Sequence, residues 1–176
     1  TSYPAAELFV NGRSQGVRQK NPDDVIERYR LIWQNVTYEP GSIRVIAYDG
    51  NGEVADEKTV ETVGSPSKIS MSADRENIVA DGDDLAFVTL QVVDEQGRFC
   101  PTACNRLNVA VEGPAEIITT DKGHPTDLEP FPQQHRRAFN GLALAIVRSS
   151  SEESGRVKIH AWSEGLESAS TIVETS

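Results

Sequence analysis

The densest group of chemistry-bearing side chains lies between Asp121 and Asn140. His124, Asp127, Glu129, Phe131, His135, Arg136 and Arg137 fall there in one stretch without apolar periodicity. A guanidinium fits a carboxylate or sugar hydroxyls, and an imidazole titrates near neutrality. An irregular segment this long inside a compact domain is usually a binding loop or an interface. Two expectations stand side by side. Either the arginines pair with local acids and the loop caps its domain, or the loop docks onto another domain or contacts carbohydrate. Trp162 is the other candidate, because it alternates out of phase with Ile159 and Ala161 and so points away from the core. Trp33 is expected to pack.

Other clusters carry less. The 27 Asp and Glu residues fall mostly in turns or on polar strand faces, and no catalytic residue is assigned among them. Asp81-Gly82-Asp83-Asp84 offers oxygens, but neither it nor Asp49-Gly50-Asn51-Gly52-Glu53 completes a calcium loop, so turn chemistry is expected. Cys100 and Cys104 cannot supply the four ligands of a zinc site; of the two remaining readings, a disulfide across the short loop or free thiols, free thiols are expected. No metal and no cofactor is expected.

These residues must be positioned by strands. From Ala86 to Val92 apolar residues alternate with Thr89 and Gln91, the period of a half-buried strand. Asn11-Gly12 joins two such runs, the strongest short hairpin signal, and Asp49-Gly50-Asn51-Gly52 joins two more. Asn21-Pro22-Asp23-Asp24 looks like a helix start, yet the β-rich context favours a strand over Tyr29–Thr37 after at most one helical turn. Leu142–Arg148 is almost wholly apolar. The fold expected is all-β: two tandem antiparallel β-sandwich domains, the second immunoglobulin-like. The first would span 1–64 and lack a first strand, leaving an open edge for a homo-oligomer. The second would span 65–176, with Val88, Leu90, Val92, Val109, Leu144, Ile146, Ile159 and Ala161 inside.

The chain has 176 residues and a net charge of −10. Residues 1–64 hold 7 basic and 10 acidic side chains, and residues 65–176 hold 10 and 17. Such a surface repels phosphate backbones, so no nucleic-acid partner is expected. The apolar runs are too short to cross a bilayer as helices, and no membrane association is expected. No signal peptide is recognisable at Thr1-Ser2-Tyr3-Pro4.

Three stretches together resemble a known family. Glu7-Leu8-Phe9-Val10-Asn11-Gly12-Arg13-Ser14-Gln15-Gly16, followed by Tyr38-Glu39-Pro40-Gly41, is similar to a small β domain that follows the catalytic barrel in bacterial glycoside hydrolase family 2 enzymes. Ala80 to Thr89, with Glu112-Gly113-Pro114-Ala115 and Arg137-Ala138-Phe139-Asn140-Gly141, resembles the C-terminal immunoglobulin-like domain of the same enzymes, mostly β-galactosidases of Bacteroidetes type. The resemblance implies a non-catalytic piece of a periplasmic or secreted enzyme, with the parent's catalytic barrel as its partner. Retaining hydrolysis needs two carboxylates about 5 Å apart. In the family both sit in the barrel, one after an Asn, and this chain has no Asn-Glu pair and no alternating βα pattern. The implied job is to brace the barrel or shape substrate access. Two rivals are an independent carbohydrate-binding module, which needs solvent-facing aromatics, and a cell-surface adhesion domain.

Overall fold

The computed structural model describes residues 2–176, which form two compact units, 2–62 and 63–176. Among the described residues there is no α-helix, and the fold is all-β.

The first unit is one four-stranded antiparallel sheet. Its strands are β1 (Ala5–Val10), β2 (Arg13–Gln19), β3 (Ser42–Tyr48) and β4 (Val54–Glu61), in the order β2-β1-β3-β4. Asn11 and Gly12 turn the first hairpin with φ of 49° and 76°, the left-handed conformations that a two-residue turn requires. Asn11 does a second job. Its Oδ1 accepts the Ser42 N–H at 2.8 Å, and its Nδ2 donates to the Pro40 carbonyl at 3.1 Å. A Cβ on Gly41 would sit 1.9 Å from Asn11 Oδ1, so only glycine fits. The Asn-Gly and Tyr-Glu-Pro-Gly motifs, 26 residues apart from Gly12 to Tyr38 in the sequence, thus meet in space.

The expected strand over Tyr29–Thr37 does not form. Side-chain oxygens of Asn21 and Asp24 accept nearby backbone N–H groups and hold turns over 22–29, with a single bond from Arg28 N–H to the Asp24 carbonyl at 3.2 Å. Asn35 then takes φ of 61°, which breaks any extended run. Trp33 is half-buried, and its indole N–H donates to the Gly16 carbonyl at 2.7 Å. The open edges of this unit are β2 and β4, every residue of which is exposed.

The second unit is a sandwich. One sheet has the order β5 (Lys68–Ala73), β7 (Leu85–Val93), β11 (Leu142–Ser149) and β9 (Ala115–Asp121). The other has the order β10 (His135–Arg137), β8 (Arg106–Glu112), β12 (Gly155–Ser163) and β13 (Leu166–Thr175), with the short β6 (Asn77–Ile78) parallel to β13. Lys68 of β5 also pairs with Glu167 of β13, joining the sheets along one edge. This is the immunoglobulin constant-type order with β10 added beside β8. Val88, Leu90, Val92, Leu107, Val109, Val157, Ile159, Ala161 and Val173 fill the space between the sheets, each at most 1% exposed.

Leu144 and Ile146 are not in that core. They face outward and are half-buried, while Ala143, Ala145 and Val147 point inward. Leu142–Val147 is apolar on both faces, so alternation carries no phase. The Asn140–Gly141 turn sets it. The inward alanines lie opposite Leu90 and Val88, small against large.

Asp94 anchors the start of the second unit. Its carboxylate is fully buried and accepts N–H groups from Gly64 at 2.8 Å, Gln96 at 3.1 Å and Arg98 at 2.8 Å, together with the Arg98 Nε at 2.8 Å. Burial alone would raise its pKa, but the Gly64 and Arg98 N–H donors and the guanidinium outweigh it and hold the carboxyl at about 2. A carboxyl lowered on folding stabilises above its unfolded pKa, near 4, and that stabilisation is lost as pH falls through the folded value. The melting midpoint is therefore expected to drop between pH 4 and pH 2. Asp94→Asn should lower the midpoint at pH 7 by roughly 10 °C and flatten the profile in that window. Scanning calorimetry across the pH series checks both, and an unchanged midpoint in the variant would contradict the assignment.

Candidate functional site

The irregular stretch forms one ordered loop between β9 and β10, and Arg136 is its centre. Inward-facing Arg136 is 1% exposed, flanked on β10 by the outward His135 and Arg137. Its Nη2 donates to the carbonyls of Thr120 at 2.6 Å and Pro130 at 2.9 Å. Its Nη1 donates to the Glu129 carbonyl and to Asp127 Oδ2, both at 3.1 Å. Thr120 Oγ1 completes the clamp, placed 3.0 Å from both the Gln133 and His135 carbonyls. Burial would push Asp127 up, but the Glu129 N–H and the Lys122 ammonium hold its carboxyl below the usual range. Glu129 lies 3.6 Å from both Lys122 and Arg136. Asp127, Glu129 and Arg136 are thus committed to one another. Both carboxylates are ion-paired, each with Lys122 and Arg136.

The fixed loop presents apolar side chains to solvent. Leu128 is 96% exposed and Phe131 is 61% exposed, with the Phe131 ring 5.8 Å from the Arg136 guanidinium. His124 sits edge-on to Phe139 at 4.2 Å and its Nδ1 accepts the Thr126 N–H at 3.2 Å. Sequence reasoning missed Leu128. A single leucine in a polar loop carries no periodic signal, and its meaning comes from the rigidity of its frame.

Trp162 lies on the outward face of the β10-β8-β12 sheet and is 41% exposed. It stacks on His160, with centroids 5.5 Å apart and ring planes 18° from parallel. The register places Asn108 opposite Trp162 on one side and opposite His135 on the other. One step along, Arg137 lies directly opposite Arg106. Arg106 and Asn108 were readable as the outward positions of a strand whose Leu107 and Val109 point inward. The short β10, three polar residues long, gave no such pattern.

The remaining motif residues have structural reasons. Asp81 Oδ1 accepts the N–H groups of Asp83 and Asp84, and Asp84 Oδ2 accepts that of Val79, so this acidic run builds a turn. Gly113 has φ of 107°, and a Cβ there would meet the Arg156 carbonyl oxygen at 2.3 Å. Cys100 is buried, Cys104 is exposed, and both thiols are free.

Residues 69–172 match the family described as glycoside hydrolase family 2 C-terminal domain 5. Residues 1–55 match a domain of unknown function (DUF4982). The chain is 42% identical over 163 residues to the β-galactosidase BoGH2A of Bacteroides ovatus, covering 93% of this chain and 18% of that protein. It is 28% identical to a β-glucuronidase of Formosa agariphila, covering 97% of this chain and 17% of that one. A glycosyl hydrolase family 2 member from Bacteroides cellulosilyticus superposes with a TM-score of 0.91 at 32% identity, covering 99% of this chain and 22% of that one. The chain therefore spans less than a fifth of the length of these two curated relatives.

Proposed function

Because this chain belongs to glycoside hydrolase family 2, as part of its C-terminal region, we propose that it docks on the catalytic barrel of a parent β-galactosidase and braces it. The chain is not the catalytic domain. The observation that carries the docking role is the pair Leu128 and Phe131, both exposed on a loop that Arg136 ties down by hydrogen bonds to Thr120 and Pro130. Exposed apolar groups on a mobile tip lose entropy when buried. On a clamped loop that cost is already met by folding, so burial against a partner is nearly all gain. Each side chain contributes about 2 kcal/mol when fully covered.

The parent's substrate is proposed as a β-galactoside, supported by the 42% identity to a protein of that name. Hydrolysis itself belongs to the barrel, where a retaining mechanism places its two carboxylates.

The test is made in the full-length parent enzyme. Leu128→Asp with Phe131→Asp should lower its melting midpoint and its galactosidase activity. The same pair in this chain alone should leave its folding unchanged, since both side chains face solvent. A full-length double variant with unaltered melting and kinetics would sink the docking role.

A further inference from the structure

We infer that the outward face of β10, β8 and β12 is a binding site for a carboxylate-bearing pyranose, a uronic acid residue of a saccharide. The inference concerns a face that the docking loop does not use, so either can fail without the other.

The first observation is electrostatic. The second unit has an excess of acids, 17 against 10 basic residues. Five of its seven arginines, Arg75, Arg98, Arg136, Arg148 and Arg156, are ion-paired. Arg106 and Arg137 have no ion pair among the described residues, and they lie directly opposite each other on neighbouring strands. Both are exposed, while Leu107 and Arg136 between them turn inward. Like charges directly opposite on a sheet destabilise it. Two guanidiniums placed so are repelled by each other and attracted to any anion that enters between them. A carboxylate meets this arrangement with two oxygens and charge-assisted bonds.

The second observation is aromatic and independent of the first. Trp162 stacks nearly parallel on His160 on the same face, which supports the indole, and the rest of its apolar ring surface is open to solvent. The C–H face of a pyranose fits such a surface. Asn108 and His135 stand in the same row as Trp162; Asn108 Nδ2 donates to the Trp162 carbonyl at 3.3 Å, which leaves its Oδ1 and the His135 ring nitrogens for hydroxyls. From His135 to Trp162 the row spans three strands, roughly 10 Å, and the arginine pair lies about 7 Å further along the strands. The face therefore joins a ring platform, neutral polar groups and an anion cradle. A neutral sugar would leave the cradle unused, and a simple anion would leave the platform unused.

The test is titration of the 176-residue chain, followed by calorimetry and by the indole N–H resonance of Trp162. The probes are methyl β-glucuronide, digalacturonate, methyl β-glucoside and tetraglutamate. At least one uronide should bind about tenfold more tightly than the glucoside. Arg106→Gln with Arg137→Gln should abolish that difference without lowering the melting midpoint, since it relieves a repulsion. Trp162→Ala should weaken uronide binding about tenfold. The site is overturned by absence of saturable uronide binding, by equal affinity for uronide and glucoside, or by uronide binding unchanged in the double arginine variant. Equal affinity for tetraglutamate would assign the face to an acidic protein surface instead and overturn the saccharide.

Discussion

Replacing Arg136 with methionine is expected to cost about 3 kcal/mol of stability and to release the 121–134 loop. Methionine keeps much of the stem's packing, so the loss isolates the guanidinium. Without it the carbonyls of Thr120, Glu129 and Pro130 lose a charged donor, and Asp127 keeps Lys122 and the Glu129 N–H. Lysine at the same position should recover only part, because one ammonium cannot reach acceptors spread across a planar fork. Urea unfolding measures the total. Hydrogen exchange at Glu129 and Gln133, whose N–H groups are bonded within the loop, separates loop release from general weakening. A cost below about 1 kcal/mol would mean that the loop is held by something other than Arg136. In the full-length parent, Arg136→Met should also reproduce part of the Leu128/Phe131 defect, since a released loop must be ordered again on docking.

Gly141→Ala is expected to be at least as damaging. A Cβ at Gly141 would lie 2.2 Å from the Cys100 carbonyl oxygen and 2.8 Å from the Phe99 ring, in a backbone with φ of 77°. The Gly141 N–H and carbonyl bond to Ala103 and Val92, so the turn cannot move away without breaking the start of β11. The expected loss is about 3 kcal/mol or more. Gly165→Ala is the matched control. It has φ of 76° with nothing within 4 Å, so it should show only the backbone strain, about 1 kcal/mol. Similar losses at both positions would show that steric contact at Gly141 is unimportant. Because this turn sets which face of β11 points inward, Gly141→Ala should also disturb the packing of Ala143 and Ala145 against Leu90 and Val88.

The two glycines show what could be read from sequence. Asn-Gly at 11–12 and 140–141 marked turns because few residues accept positive φ, and the structure has both there. Strand β7 was legible because its outer face carries Thr89 and Gln91. Strand β11 was legible as a strand but not in phase, because leucine, isoleucine, alanine and valine occupy both its faces. The segment 20–41 was misjudged for another reason. Its Tyr, Ile and Trp residues have strand propensity, but Asn21 and Asp24 offer the backbone local hydrogen bonds and Asn35 takes a positive φ, and these local choices win.

In the candidate loop, composition picked out a group of side chains and left their roles open. Arg136 and Arg137 are adjacent and chemically identical. One is buried and clamps the loop, and the other is exposed opposite Arg106. Only the phase of a three-residue strand separates them, and three residues are too few to reveal a period. Trp162 was placed outward by alternation against Ile159 and Ala161, and the structure agrees. Its neighbours His135 and Asn108 come from strands far away in sequence, so their row became visible only in the register.

The central claim is that this chain supports catalysis carried out elsewhere in its parent. The most direct measurement is hydrolysis of nitrophenyl β-galactoside by the purified 176-residue chain beside the full-length enzyme. Turnover is expected from the full-length enzyme and none above buffer from the chain alone. Turnover by the chain itself, surviving repurification, would contradict the claim.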